Sequence, residues 1–186
     1  MKKILALTLA LALALSMVAC GNTEPTTPST EAPTTEAVKP ALTDTLDVVA
    51  GKIIEQNPVE FAGMANVLDL TDTSEDGQYM LQYATGLTDG SALTEVVEYG
   101  PMMGSIAFSM VLVRVTDAAN AQAVAEEMKN NIDTRKWICV EANELLVAGY
   151  GDVVMLIMLD NQGGMSVQSF VDAFQTICGA ELDFTI

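Results

Sequence analysis

The residues able to do chemistry are few, and one absence decides most of what they can do. The chain of 186 residues has no histidine. That removes the commonest general base and the usual zinc or copper ligand. Ser-His-Asp and Cys-His catalysis are excluded with it. What remains is carboxylates, three cysteines and one basic-aromatic cluster. Glu126-Glu127 and the pair Glu141 and Glu144 are the candidate acid/base carboxylates. Such work needs two carboxyls converging in a cleft with separated pKa values. Adjacent Glu126 and Glu127 fit the solvated face of an amphipathic helix more simply. Asp72-Thr-Ser-Glu-Asp-Gly77 matches the opening of a calcium loop, but the closing bidentate Glu falls on Tyr83, so the stretch reads as an acidic helix start. Arg135, Lys136 and Trp137 form a candidate ligand contact for an anion or a stacked glycan. The competing reading is a surface loop whose Trp tucks under the sheet. Gly149-Tyr-Gly-Asp152 and Gly163-Gly164 lack phosphate-loop spacing and read as turns. No catalytic, metal or cofactor constellation emerges.

These groups hang on a chain with an exported head. Lys2 and Lys3 precede an apolar run from Ile4 to Leu15, then Ser16-Met17-Val18-Ala19-Cys20. A charged start, a hydrophobic run and a small-residue cut make a secretory signal over residues 1–19. The Cys just past the cut resembles the lipobox of bacterial lipoproteins, with Met17 where Leu is favoured. The resemblance implies acylation of Cys20, with a chain such as palmitate, and a lipid anchor on the extracytoplasmic face of the membrane. Cys139 and Cys178 are then an even pair in an exported protein, and a disulfide between them is permitted, the alternative being two separate buried thiols. Residues 20–42 are rich in Thr, Pro and Glu and nearly free of large apolar side chains, so they read as a disordered tether. At ~3.1 Å per residue, Gly21 to Ala41 reaches at most about 60 Å.

Loss of Lys2 and Lys3 with the leader takes the formal charge from −17 to −19. So acidic a surface repels phosphate backbones, which excludes nucleic acid as a partner. The partners expected are the membrane, through Cys20, and an envelope protein or small ligand.

Residues 43–186 are expected to form a single α+β domain. Leu46, Val49, Ala50, Ile53 and Ile54 recur at helical spacing. Phe61 to Leu70 reads as a loop or a short turn of helix. Asp72 to Gly86 reads as a second helix with Tyr79, Met80 and Tyr83 on one side. Val96 to Tyr99 and Ser105 to Val115 read as strands, the second apolar on both faces and therefore central. Asp117 caps a helix with Ala121, Val124, Ala125, Met128 and Ile132 buried. Asn143 to Ala148 and Val153 to Leu159 form a hairpin. Ser166 caps a last helix carrying Val167, Phe170, Val171, Phe174 and Ile177, and Leu182 to Ile186 adds an edge strand. The architecture expected is a two-layer sandwich: an antiparallel sheet of about four strands, with helices mainly on one face. That face is assigned to the Ile106, Phe108, Met110 and Leu112 side, with the valine side either roofed by the first helix, the favoured reading, or left as an open apolar patch that would bind a partner.

Leu93-Thr-Glu-Val-Val-Glu-Tyr-Gly-Pro-Met-Met103, the strand after it, Val113-Arg-Val-Thr-Asp117 and Gly149-Tyr-Gly-Asp152 together resemble the small bacterial lipoproteins of the domain of unknown function 4358 family. The resemblance spans roughly Ser74 to Ile177 and the lipoprotein head. It implies fold and location, and brings no catalytic residues. Family members carry acidic residues after the Met-Met segment, where this chain has Gly104-Ser-Ile-Ala107. The function expected is a non-catalytic binding module at the cell envelope, the alternative being an envelope hydrolase that uses carboxylates alone.

Overall fold

The structure is a computed structural model and describes residues 39–186. The signal, Cys20 and most of the tether lie outside the described residues.

The apolar residues of Leu46–Gln56 coil into α1, with Leu46, Val49, Ala50 and Ile53 on the buried side. Thr45 makes no side-chain cap; instead the Leu46 N–H donates to Glu95 Oε1 at 2.7 Å, from a strand 49 residues away. Gly63–Val67 follow as β1 and Glu75–Thr85 as α2. Ser74 caps α2 by accepting from the Gly77 N–H, and Gly86 closes it in the left-handed conformation at φ 79°. That position tolerates no side chain, because a Cβ there would meet the Ile132 backbone N at 2.6 Å. β2 (Leu93–Pro101) and β3 (Phe108–Val115) form one hairpin, and α3 (Ala121–Asn131) follows a 3-10 turn opened by Asp117. β4 (Glu144–Tyr150) and β5 (Val153–Leu159) form a second hairpin, turning at Gly151 with φ 58°. α4 (Val167–Cys178) and the short β6 (Phe184–Thr185) complete the domain.

All the strands join one antiparallel sheet of six, in the order β1-β2-β3-β5-β4-β6. The α+β class and the antiparallel sheet are as expected; six strands replace the expected four or so. One of the added strands, β1, occupies the stretch read as loop or helix. β6 takes the edge position expected of the C-terminus.

The helices also depart from the expected single face. Phe108, Met110 and Leu112 point toward α1 and α4, where Phe170 and Phe174 complete the layer. Val111, Val113 and Val115, with Val154, Leu156 and Met158 of β5, point toward α2 and α3. A central strand apolar on both sides needs cover on both sides, or a large apolar patch would face water. The valine face is indeed roofed, but by α3; α1 lies on the large-residue face. On that face Phe108 is the hub, 5.1 Å from the Phe61 ring and 5.3 Å from the Phe170 ring.

Packing reaches back at least to Lys39, ahead of the Thr43 expected. Leu42 is buried in the α1/α4 layer, and the Tyr150 hydroxyl donates to Pro40 O at 2.6 Å.

Candidate functional site

A concavity of about 680 Å³ opens where β1 leaves the sheet beside α2. Its walls come from residues 66–70, the first half of α2 and the 88–91 turn. Leu68, Leu70, Leu81 and Leu93 give it apolar walls and pack on the α2/α3 layer. Asp69, Asp72, Asp76 and Asp89 line it as well, and no cation does. Val67 and Met80 stand exposed at its margin.

Three of these carboxylates are held by the turns they build. Asp69 accepts from the Thr71 hydroxyl and N–H, Asp72 from the Ser74 N–H, and Asp89 from the N–H and hydroxyl of Ser91. Hydrogen bonds from Thr71 hold Asp69 below the usual aspartate range, and Ser74 does the same for Asp72. The Ser91 backbone N–H, then its hydroxyl, lowers Asp89. All three stay ionised at neutral pH. A carboxyl lowered by folding makes the unfolded chain bind protons more tightly as pH drops below about 4, so its contribution is full above that value and fades below it. Comparing the urea midpoints of the wild type and of Asp69→Asn/Asp72→Asn/Asp89→Asn at pH 7 and pH 3 checks this. Asn keeps the turn acceptor without titrating, so the wild type should lose more between the two pH values. Equal losses would show that these turns do not carry the effect.

Asp72 therefore opens a turn that leads into the Ser74 cap, and the calcium-like string is the start of α2. Among the described residues no three acidic or thiol groups cluster as metal ligands do.

The Arg135-Lys136-Trp137 cluster is built differently from the ligand contact expected. The Lys136 side chain is only 2% exposed. Its ammonium donates to Glu98 Oε1 at 2.8 Å, to Ser109 Oγ at 3.1 Å and to Tyr83 O at 3.1 Å, and it lies 4.7 Å from the centre of the Tyr83 ring. All three of its protons are used. Ser109, itself fully buried, donates to Glu98 Oε1 at 2.8 Å. A serine beside a lysine has the parts of a nucleophile and its base. Here the serine has no exposed surface and its proton goes to a carboxylate, while burial, opposed by Glu98, lowers the Lys136 pKa. The trio is an internal polar tie between α2 and the sheet. Trp137 is half-buried against the same layer. Arg135 is exposed and pairs with Glu141 at 3.1 Å. An anion reaching Arg135 would compete with that partner.

The remaining predicted groups are also engaged or apart. Glu144 accepts from Asn161 and from the Val167 N–H at the start of α4. Glu126 accepts from Gln122 on the exposed side of α3. None of the four candidate glutamates lines the cleft beside β1. Cys139 and Cys178 are both free thiols, the first exposed and the second buried. Of the two alternatives left open, the thiols are separate, since the two belong to opposite sides of the sheet, though Cys139 is exposed rather than buried. Cys178 sits in the α1/α4 layer, whereas Trp137 and Ala142, which flank Cys139, pack on the α2/α3 layer. Burial pushes the Cys178 thiol up to about 12, which makes it inert at neutral pH. Cys20 lies outside the described residues.

The cleft was only partly visible in the sequence. Asp72 to Gly77 stood out, but Asp69 did not. Nothing in the spacing signalled that the three segments meet. No family model, curated protein or solved structure matches the chain.

Proposed function

We propose that the chain is a lipid-anchored extracytoplasmic protein whose α+β domain is a non-catalytic binding module of the cell envelope. The observation that carries the binding reading is the cleft beside β1: apolar walls, four aspartates and exposed Val67 and Met80 at its margin. Concave sites of this size with apolar walls and a few polar groups are where ligands and partner segments seat. The carboxylates there are turn and cap acceptors, and the candidate glutamates stand apart. That arrangement favours binding over the carboxylate hydrolase. The anchor rests on Ser16 to Cys20 alone, and the resemblance to the domain of unknown function 4358 lipoproteins belongs to the same proposal.

Two measurements test it. Cys20→Ala should move the protein from the membrane fraction to the medium, or leave it unprocessed; normal processing with unchanged membrane retention defeats the anchor. Cross-linking and co-purification from the native envelope should return a stoichiometric partner. Turnover in a hydrolase panel that is lost on a single Asp or Glu substitution would instead establish the enzyme.

A further inference from the structure

β1 is an edge strand whose outer side is unpaired among the described residues. Its pairing fixes which backbone groups face outward. The Met102 N–H donates to Ala62 O at 2.9 Å and the Leu68 N–H to Val96 O at 3.0 Å, so the even-numbered residues from 62 to 68 bond to β2. In an antiparallel ladder the alternate residues then turn their N–H and C=O groups away. Those residues are Gly63, Ala65 and Val67. Sheet edges are ordinarily blunted by charged side chains, proline or a covering element. Gly63-Met-Ala-Asn-Val67 has no charge and no proline, and Met64 and Val67 are 54% and 58% exposed. The opposite edge is a two-residue strand, with Lys39 bonded to Asp183 and to Glu181 O close beside it.

Resting on the binding-module reading above, we infer that β1 is the docking edge for an extended, lysine- or arginine-bearing segment of a partner protein. The segment adds to the sheet as a further strand and carries its cations to the aspartates of the neighbouring cleft. Main-chain pairing supplies affinity in this mode, and alternate side chains supply specificity. Charge selects the occupant. β1 runs directly into the cleft lined by Asp69, Asp72, Asp76 and Asp89, where no cation stands. A second copy of a chain with formal charge −17 brings repulsion to that site. The chain's own residues 20–38 bring Glu24, Glu31 and Glu36 with no Lys or Arg, and prolines 25, 28 and 33 lack the N–H that pairing needs.

The test is fluorescence anisotropy with the full chain and two labelled octapeptides, one alternating lysine and valine, the other alternating glutamate and valine. The lysine peptide should bind, more weakly as salt rises, and the glutamate peptide should not. Ala65→Pro removes an outward N–H without touching the β2 ladder, and should weaken the lysine peptide at least tenfold. Asp69→Asn/Asp72→Asn/Asp89→Asn should weaken it by a similar factor while β1 stays intact, so the site is tested even if the proline variant folds poorly. Amide shifts confined to Gly63, Ala65 and Val67 would locate the added strand. Lysine-peptide binding that survives both variants overturns the β1 site and leaves the binding module standing. Equal binding of the two peptides, or no binding, overturns the inference as well, and the module is then judged by co-purification alone.

Discussion

Lys136→Met is expected to lower the stability of the domain by about 3–5 kcal/mol, read from urea unfolding at pH 7. The loss comes from what the substitution leaves behind. Glu98 is 14% exposed, and its Oε1 accepts from both Lys136 and Ser109. Without the ammonium, a largely enclosed carboxylate remains with one hydroxyl for company. The pair itself contributes far less than that loss, since both charges were taken out of water to form it. The variant Lys136→Met/Glu98→Met/Ser109→Ala should therefore recover most of the deficit. If the single substitution costs under 1 kcal/mol, the ammonium is not the tie described. pH gives a second reading. Burial lowers the Lys136 pKa from 10.5 more than Glu98 raises it. Between the folded value and 10.5 the unfolded chain holds the proton more tightly, so the stability contribution of this group rises with pH through that window. The wild type should gain on Lys136→Met as pH climbs from 7 toward 10.5. The effect reaches the cleft, because Lys136 also holds Tyr83 O and α2 forms one of the cleft walls. Loosening α2 should weaken the lysine peptide before the domain unfolds.

Lys136 also marks the limit of what the residues revealed. α3, α4, β3 and β5 were legible because each buries a strongly periodic apolar face. Ser109 interrupts β3's row of valines, and that hydroxyl was the available sign of a buried polar partner. Nothing local tied it to a lysine 27 residues on, which enters from a loop. β1 was hidden for the opposite reason: its side chains are mostly exposed, so no alternation is imposed on Gly63 to Val67, and backbone pairing with β2 makes the strand. α2 was placed within a few residues by Ser74 and Gly86, with Tyr79 and Tyr83 on one side, their ring centres 5.9 Å apart, but which side it buries was not assigned. Leu81, Ala84 and Thr85 point inward while Tyr79 is 62% exposed, because the Tyr83 side of the helix roofs a lysine instead of the apolar core. The disulfide followed from counting cysteines, and counting says nothing about which side of a sheet each occupies. The cleft inherits all of this, since it lies between the missed strand and a helix whose inward side was not assigned.

Arg114→Leu is expected to cost about 2–4 kcal/mol and to free the N-terminal end of the domain, given several charge-assisted bonds lost together. Arg114 stands where β3 ends, 17% exposed. One nitrogen, Nη1, donates to Leu42 O at 2.9 Å and to Asp152 at 3.1 Å; Nη2 donates to Asp44 O at 2.8 Å; Nε faces Glu95 Oε2 at 3.4 Å. Glu95 in turn caps α1 through the Leu46 N–H. A single guanidinium thus ties the entering chain, the first helix and the β4–β5 turn to one point. Its planar fork serves several acceptors at once, which an ammonium on a flexible stem does not, so Arg114→Lys should recover little. Trypsin makes the local part of the effect visible. Lys52 lies in α1, and helical backbone resists cleavage until the helix lifts from α4 and the sheet. Cutting after Lys52 should accelerate in Arg114→Leu under conditions where the rest of the domain stays folded. On the proposed anchor at Cys20, any pull between membrane and partner enters through residues 39–44, the stretch this clamp holds. An unchanged urea midpoint together with an unchanged cutting rate at Lys52 would place the hold elsewhere, on Tyr150 and Lys39.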